Sequence, residues 1–209
     1  MVQAAPAKRR GRPPAYDAEA ALSAAMATFW KSGYAATSLD DITAATGMNR
    51  PSLYAAFGDK RAIYLKALER YGVNAQAAFG AALTFTKPLR EDLERVFSSA
   101  LGIYTAGDGA SQGCFLISTA TVEATGDPQV REALTASLRR MDAAFEGRLR
   151  FAVEKGEVLP SDDIKGLAQM AGALLHTIAI RARAGESRED LDRLVASGLD
   201  LICGKRAAA

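Results

Sequence analysis

Cysteine and histidine are nearly absent from this chain: Cys114, Cys203 and His176 are all it has among 209 residues. Two distant thiols without CxxC spacing argue against a disulfide framework and against a zinc site. A single imidazole leaves little acid–base machinery near neutral pH. No apolar run approaches the roughly 18 residues that a membrane span needs, and alternating strand patterns are missing. There is no nucleophile–base pair to read and no phosphate-cradling glycine loop. The basic N-terminus leads through Pro6–Pro14 into an amphipathic helix rather than an uninterrupted apolar stretch, so it does not read as a signal peptide. These gaps point away from an enzyme, a secreted scaffold or a membrane protein. They fit a helical protein of a reducing cytoplasm with no metal and no cofactor.

Charge of one sign is also scarce overall, at net +2, but it is unevenly spread. Residues 1–61 hold eight Lys or Arg against five Asp or Glu, a net +3, while the remainder holds 18 basic and 19 acidic residues, a net −1. The excess positive charge therefore lies in the first third, as phosphate binding requires.

Helical periodicity runs through nearly every segment, which predicts an all-α protein in two parts. Residues 1–15 form a basic arm, expected to be disordered on its own. Residues 16–62 read as three short helices. Asp17 caps the first, whose stripe is Leu22, Met26, Phe29 and Trp30, ended by Gly33. Thr37 or Ser38 caps the second, with Asp40 or Asp41 completing a capping-box pattern, and Gly47 closes it. The third runs from near Asn49 to Gly58. Asp59 caps a longer connector to about Thr84. Residues 63–203 then form a helical bundle, with helices expected at about 89–106, 113–125, 128–155, 162–184 and 188–203, and residues 204–209 a tail.

The segment from Thr37 to Lys60 carries the chemistry. Leu53 and Phe57, four apart, share the inward face of the third helix and should pack on Phe29 and Ile42. Pro51 and Ala55 then point outward, flanked by Ser52 and Tyr54. A Pro in the first turn costs no hydrogen bond. Asn49 and Arg50 lie at the helix start, where a guanidinium can reach guanine O6 and N7. Ala55 is small enough to let the helix approach and to touch a thymine methyl. Tyr54, Ser38, Thr37 and Lys60 are placed to hold phosphates. Arg9, Arg10 and Arg12 of the Lys8–Pro14 arm suit a narrow minor groove. A purely structural three-helix bundle with a solubilising tail would carry some of these features too.

Gly33-Tyr34, Thr37-Ser38-Leu39, Ile42, Gly47-Met48, Ser52-Leu53-Tyr54, Phe57 and Asp59-Lys60-Arg61, in this spacing, resemble the N-terminal domain of TetR-family transcriptional regulators. The match covers about residues 17–65. Gly33, Gly47, Tyr54, Phe57 and Lys60 stand where that family keeps its turn glycines, phosphate-contacting Tyr, core aromatic and post-helix Lys. The resemblance implies a homodimeric repressor on a near-palindromic double-stranded operator, released when a small apolar or aromatic molecule enters the C-terminal bundle. The acidic pair Asp40-Asp41 departs from members with a basic residue early in the second helix.

In the bundle, the apolar stripes are core first of all. As a family-based expectation, a cavity lies among Phe97, Leu101, Tyr104, Phe115, Thr119, Glu123, Met141, Phe145 and His176. His176 also reads as a satisfied core residue. Cys114 begins a helix, where a thiol can become reactive, which offers redox or electrophile sensing as an alternative to simple burial. Ala168, Gly172, Leu175, Ala179, Leu191, Val195, Gly198 and Ile202 read as a dimer surface or as intramolecular core. A small-molecule-binding helical protein without DNA specificity remains the reading from a different class.

Overall fold

The computed structural model describes residues 16–106, 111–158 and 163–204. The basic arm with Arg9, Arg10 and Arg12, the Gly107–Gly109 break and most of the tail lie outside the described residues. Every regular element among the described residues is helical. In chain order they are α1 (Ala18–Ser32), α2 (Leu39–Thr46), α3 (Arg50–Phe57), α4 (Lys60–Ala82) and α5 (Leu89–Tyr104), then a π-helical turn (Leu116–Ala120) running into α6 (Thr121–Glu123). They are followed by α7 (Pro128–Glu154), α8 (Ile164–Arg183) and α9 (Arg188–Cys203).

The boundaries follow side-chain caps. Asp17, Ser38, Asn49, Asp59, Asp127, Asp163 and Ser187 each accept a first-turn backbone N–H. Such a cap stabilises a helix start by about 1 kcal/mol. In α2 the choice falls on Ser38 and Asp41: Asp41 N–H donates to Ser38 Oγ at 3.1 Å, and Ser38 N–H donates to Asp41 Oδ2 at 2.8 Å. The Ser38 hydroxyl and Ser38 N–H, both donating to Asp41 Oδ2, hold the Asp41 carboxyl below its ordinary range.

α1–α3 form a small head around Ala21, Ala25, Phe29, Ile42, Leu53 and Phe57, all buried. The deepest row of α1 is Ala21–Ala25–Phe29; Leu22, Met26 and Trp30 lie one position round and only half-buried. α4 joins the head to the body, a bundle of α5 to α9 in which Phe97, Leu101, Phe145 and Leu149 are sealed from water.

The helix expected at 113–125 starts later and is partly π-helical. Gly113 explains the delay. It sits at φ +65°, and a Cβ there would lie 2.6 Å from the Ala179 carbonyl oxygen of α8. The chain must pass α8 as bare backbone before it can coil.

One charged cluster lies inside the body. Arg148 of α7 and Asp92 of α5 are both wholly buried, with Arg148 Nε 2.7 Å from Asp92 Oδ2. Asp92 also accepts from Thr84 Oγ1 at 2.9 Å, Thr84 N at 3.3 Å and Phe85 N at 3.2 Å. Arg148 Nη2 donates to the Lys87 carbonyl at 2.7 Å, and Glu157 takes both Arg148 and the Leu89 N–H. Arg148 Nη1 has no hydrogen-bond partner; the guanidinium lies 5.8 Å and 5.6 Å from the Phe85 and Phe151 ring centres instead. The cluster pins the α4–α5 connection to α7, and it holds Phe85 at the unusual φ of 57°.

Candidate nucleic-acid interface and effector cavity

α2 and α3 are joined by Gly47 in the left-handed region at φ 66°, where a side chain would be strained. The turn buries Met48 and sends α3 across the head with Leu53 and Phe57 inward. The opposite face of α3 presents Pro51, Tyr54 and Ala55, exposed, and Ser52, half-exposed. Asn49, expected among the DNA contacts, caps α3: its Oδ1 accepts from Ser52 N–H at 2.9 Å. Arg50 is exposed at the first turn and pairs with Asp40 of α2, Nη2 to Oδ1 at 2.7 Å. Lys60 lies 4.4 Å over the Tyr34 ring, just beyond the α3 end.

Two expected phosphate contacts are placed differently. Thr37 is 1% exposed and its hydroxyl donates to the Gly33 carbonyl at 2.7 Å, so it is turned away from the surface. Ser38 is exposed, but its hydroxyl donates to Asp41 Oδ2 at 2.6 Å and is committed to the cap.

A cavity of about 110 Å³ lies in the body between α4, α5, α7, α8 and the π-helical turn. Tyr104, Met141 and His176 line it as expected positions, together with Tyr71, Ser99 and Cys114, which the stripe pattern did not mark. Ala75, Ala78, Ala82 and Ala100 make the room. Phe97, Leu101, Phe115 and Phe145 do not line it; they are fully buried and fill the core around it. Thr119 is buried with its hydroxyl on the Phe115 carbonyl, and Glu123 lies outside the lining. Ala75, Phe79, Ser137 and Met141 form a wall shared with a groove of about 510 Å³ between α4 and α7.

The lining contains no Lys, Arg, Asp or Glu side chain. Burial lowers His176 further below neutrality than the nearby Asp142 raises it. Tyr71 and Tyr104 are pushed up by burial and by the neighbouring Cys114. Tyr71 Oη lies 3.2 Å from Cys114 Sγ. Burial pushes the other thiol, Cys203, up to about 11.

The cavity wall is also the seat of the head. Trp30 of α1 meets Tyr71 edge-on at 5.3 Å and Phe115 at 5.6 Å between ring centres. Its indole Nε1 donates to the Gln112 carbonyl at 3.0 Å, and Arg183 of α8 donates to the carbonyls of both Gln112 and Trp30. Tyr64 of α4 donates to Thr119 Oγ1 at 2.8 Å, and burial pushes that phenol up to about 12. Arg61, at the start of α4, forks onto Asp127, the cap of α7, with Nη2 2.8 Å from Oδ1. Arg61 and the α7 N–H groups bring Asp127 down to about 2. Residue spacing had marked none of these links, because each joins segments far apart in sequence.

Of the eight positions read as dimer surface or core, seven are buried within one chain and Gly198 is half-exposed. Ala168, Leu175, Ala179, Leu191, Val195 and Ile202 are all 9% exposed or less. A Cβ on Gly172 would face Met141 and Asp142 of α7, and one on Gly198 would meet Leu174 of α8. The exposed large apolar side chains of α8 and α9 are instead Met170, Ile180 and Leu201.

The comparisons with known proteins agree with this geometry. Residues 21–67 match the description "Bacterial regulatory proteins, tetR family", and residues 90–197 match "Tetracyclin repressor-like, C-terminal domain". The HTH-type transcriptional repressor ComR of Escherichia coli (strain K12) is 32% identical over 196 residues, 93% of this chain and 92% of that protein. A cysteine-substituted form of the TetR-family regulator CifR, solved with a 26-base-pair double-strand operator DNA, is 30% identical with TM-score 0.79, covering 90% of this chain and 98% of that one. The reduced form of E. coli NemR shares the fold at TM-score 0.79 and 18% identity, covering 91% and 98%. The head, its outward α3 face, the helical body and these matches together make the chain a member of the TetR family, a DNA-binding transcriptional regulator and not an enzyme.

Proposed function

We propose that the protein is a homodimeric cytoplasmic repressor, with residues 16–62 reading a near-palindromic operator and residues 63–203 holding the effector and the dimer face. One recognition helix covers only a few base pairs, so two copies on symmetric half-sites are needed for useful specificity. The exposed Met170, Ile180 and Leu201 of α8 and α9 are the side chains offered to the second copy, since large apolar side chains left in water gain by being covered.

The observation that carries the effector reading is the seating of Trp30 on Tyr71, which lines the cavity, and on Phe115 of the core around it. A molecule that displaces Tyr71 or the π-helical turn must disturb the head's seat, and with it the separation of the two α3 helices. The shift cannot exceed the molecule's differential affinity for the two arrangements. The uncharged lining selects a neutral, mainly apolar molecule. An apolar cavity of about 150 Å³ holds a benzene-sized guest, so the effector is of the order of one ring or a short chain. Thermal melting against a panel of neutral monocyclic compounds should find one that stabilises the protein by about 2.7 kcal/mol at a hundredfold excess over its Kd. Ala100→Phe, which fills the cavity, should lose both that shift and release from DNA while keeping operator affinity. No shift across the panel, or an unaltered response in Ala100→Phe, would remove the cavity from the account.

The contact between Tyr71 Oη and Cys114 Sγ supports a second reading, in which the effector is a soft electrophile. With a conjugated carbonyl compound, the Cys114 sulfur bonds to the β-carbon and the thiol proton passes to the α-carbon. Exposure to such a compound should add its mass at Cys114 and weaken operator binding, and Cys114→Ser should abolish both changes. Operator affinity unchanged in a fully modified protein would eliminate this reading.

A further inference from the structure

Of the two acids that open α2, only one is part of the helix cap. Asp41 closes the capping box with Ser38. Asp40 is free of that duty and reaches across to the recognition helix, where its Oδ1 accepts from Arg50 Nε at 3.1 Å and from Nη2 at 2.7 Å. Both side chains are open to solvent, 73% and 56% exposed, so in water the pair contributes little to stability. Its geometry is more informative than its energy. A guanidinium has five N–H donors in a rigid plane. Asp40 occupies the edge formed by Nε and one Nη2 proton, which leaves the outer edge, made of Nη1 and the second Nη2 proton, unobstructed. That outer edge is a two-donor fork of the kind that meets guanine O6 and N7.

We propose that Asp40 is a positioning and specificity-determining residue, which holds the Arg50 fork edge-on to a base and keeps it off the phosphates. Without a partner, an exposed arginine on this face can swing to any nearby phosphate oxygen, which adds affinity on every sequence and discrimination on none. The carboxylate also faces the DNA, where it opposes phosphates equally on all sequences. It therefore lowers nonspecific affinity while the guanine contact recovers the difference only at the operator. The inference rests on the proposed reading of α3 as the recognition helix.

The test is selection of binding sites from a random duplex library by the wild-type protein, followed by anisotropy titrations on the enriched and on random duplexes at two salt concentrations. Asp40→Asn leaves the Ser38–Asp41 cap intact and should melt with the wild type. It should bind random DNA several-fold more tightly, lower the operator-to-random ratio by at least about fivefold, and lose base preference at one position in each half-site. Asp40→Glu, which keeps the charge and can regain the pairing, should restore that preference. In an Arg50→Ala background, Asp40→Asn should no longer change base preference, although its gain on random DNA should persist. A merely structural role for Asp40 would alter melting and leave the base-preference profile alone. If the wild type enriches a motif and Asp40→Asn keeps both the motif and the ratio, the Asp40 assignment is overturned and the recognition reading stands. If the wild type enriches no motif, both fall.

Discussion

Arg50→Glu is expected to abolish sequence-specific DNA binding while leaving the protein folded. A bidentate arginine–guanine contact discriminates by about 1–3 kcal/mol. Two half-sites lose it together, about 2–6 kcal/mol, or roughly 30-fold to more than 10⁴-fold in affinity. Glu adds repulsion from the phosphates and from Asp40, which lies 2.7 Å from the present guanidinium. Folding should be spared because Arg50 is exposed and its helix is anchored by Leu53 and Phe57. Circular dichroism and anisotropy on one preparation check both parts. Retained discrimination in Arg50→Glu would mean that α3 is not the reading helix.

Asp92→Ala is expected to produce the largest loss of stability of any single change in the body. Removing the carboxylate strands the buried Arg148 guanidinium, which already has one nitrogen unpaired, and orphans the N–H groups of Thr84 and Phe85. Breaking a buried pair from one side costs about 3–5 kcal/mol, against a total stability of about 5–15 kcal/mol. For a chain of this size that corresponds to a fall in Tm of about 6–20 °C. Acid should act through the same group. Burial raises the Asp92 carboxyl, but Arg148 and Thr84 outweigh it and leave it below the ordinary range. Its contribution is therefore complete above the unfolded value of about 3.9 and is lost as the pH falls below that. Asp92→Asn should show a flatter stability profile below about pH 4 than the wild type. A wild-type melting temperature kept in Asp92→Ala would show that the cluster is not the clamp between α5, α7 and the α4–α5 connection.

The parts of this molecule that were legible beforehand are those that local chemistry decides. Asp17, Asn49 and Asp59 announce helix starts because only such side chains can satisfy first-turn N–H groups, and Gly47 announces a turn because it alone adopts positive φ without strain. Leu53 and Phe57 fixed which side of α3 faces out, since a helix so short has one buried stripe. Thr37 was misplaced by its neighbour: either hydroxyl could cap α2, and the one that does not cap turned inward.

The cavity was harder to read for a physical reason. Large apolar residues such as Phe97 and Phe145 fill space, whereas the room for a cavity comes from what fails to fill it, here Ala75, Ala78, Ala82 and Ala100. α8 misled in another way. It carries apolar residues on both sides, so small residues such as Ala168 and Ala179 marked its packing against its own chain, while Met170 and Ile180 are exposed. Arg148 lies on the buried side of α7 against all expectation from its type, and only Asp92, 56 positions away, explains it.

The central claim, that this head reads DNA sequence as a symmetric dimer, is tested most directly by letting the wild-type protein choose. Selection from random duplexes should enrich a two-fold-symmetric motif, and anisotropy at near-physiological salt should find it bound at least about 10³-fold more tightly than random DNA. Enrichment of no motif, with equal and steeply salt-dependent binding to every duplex, would contradict it.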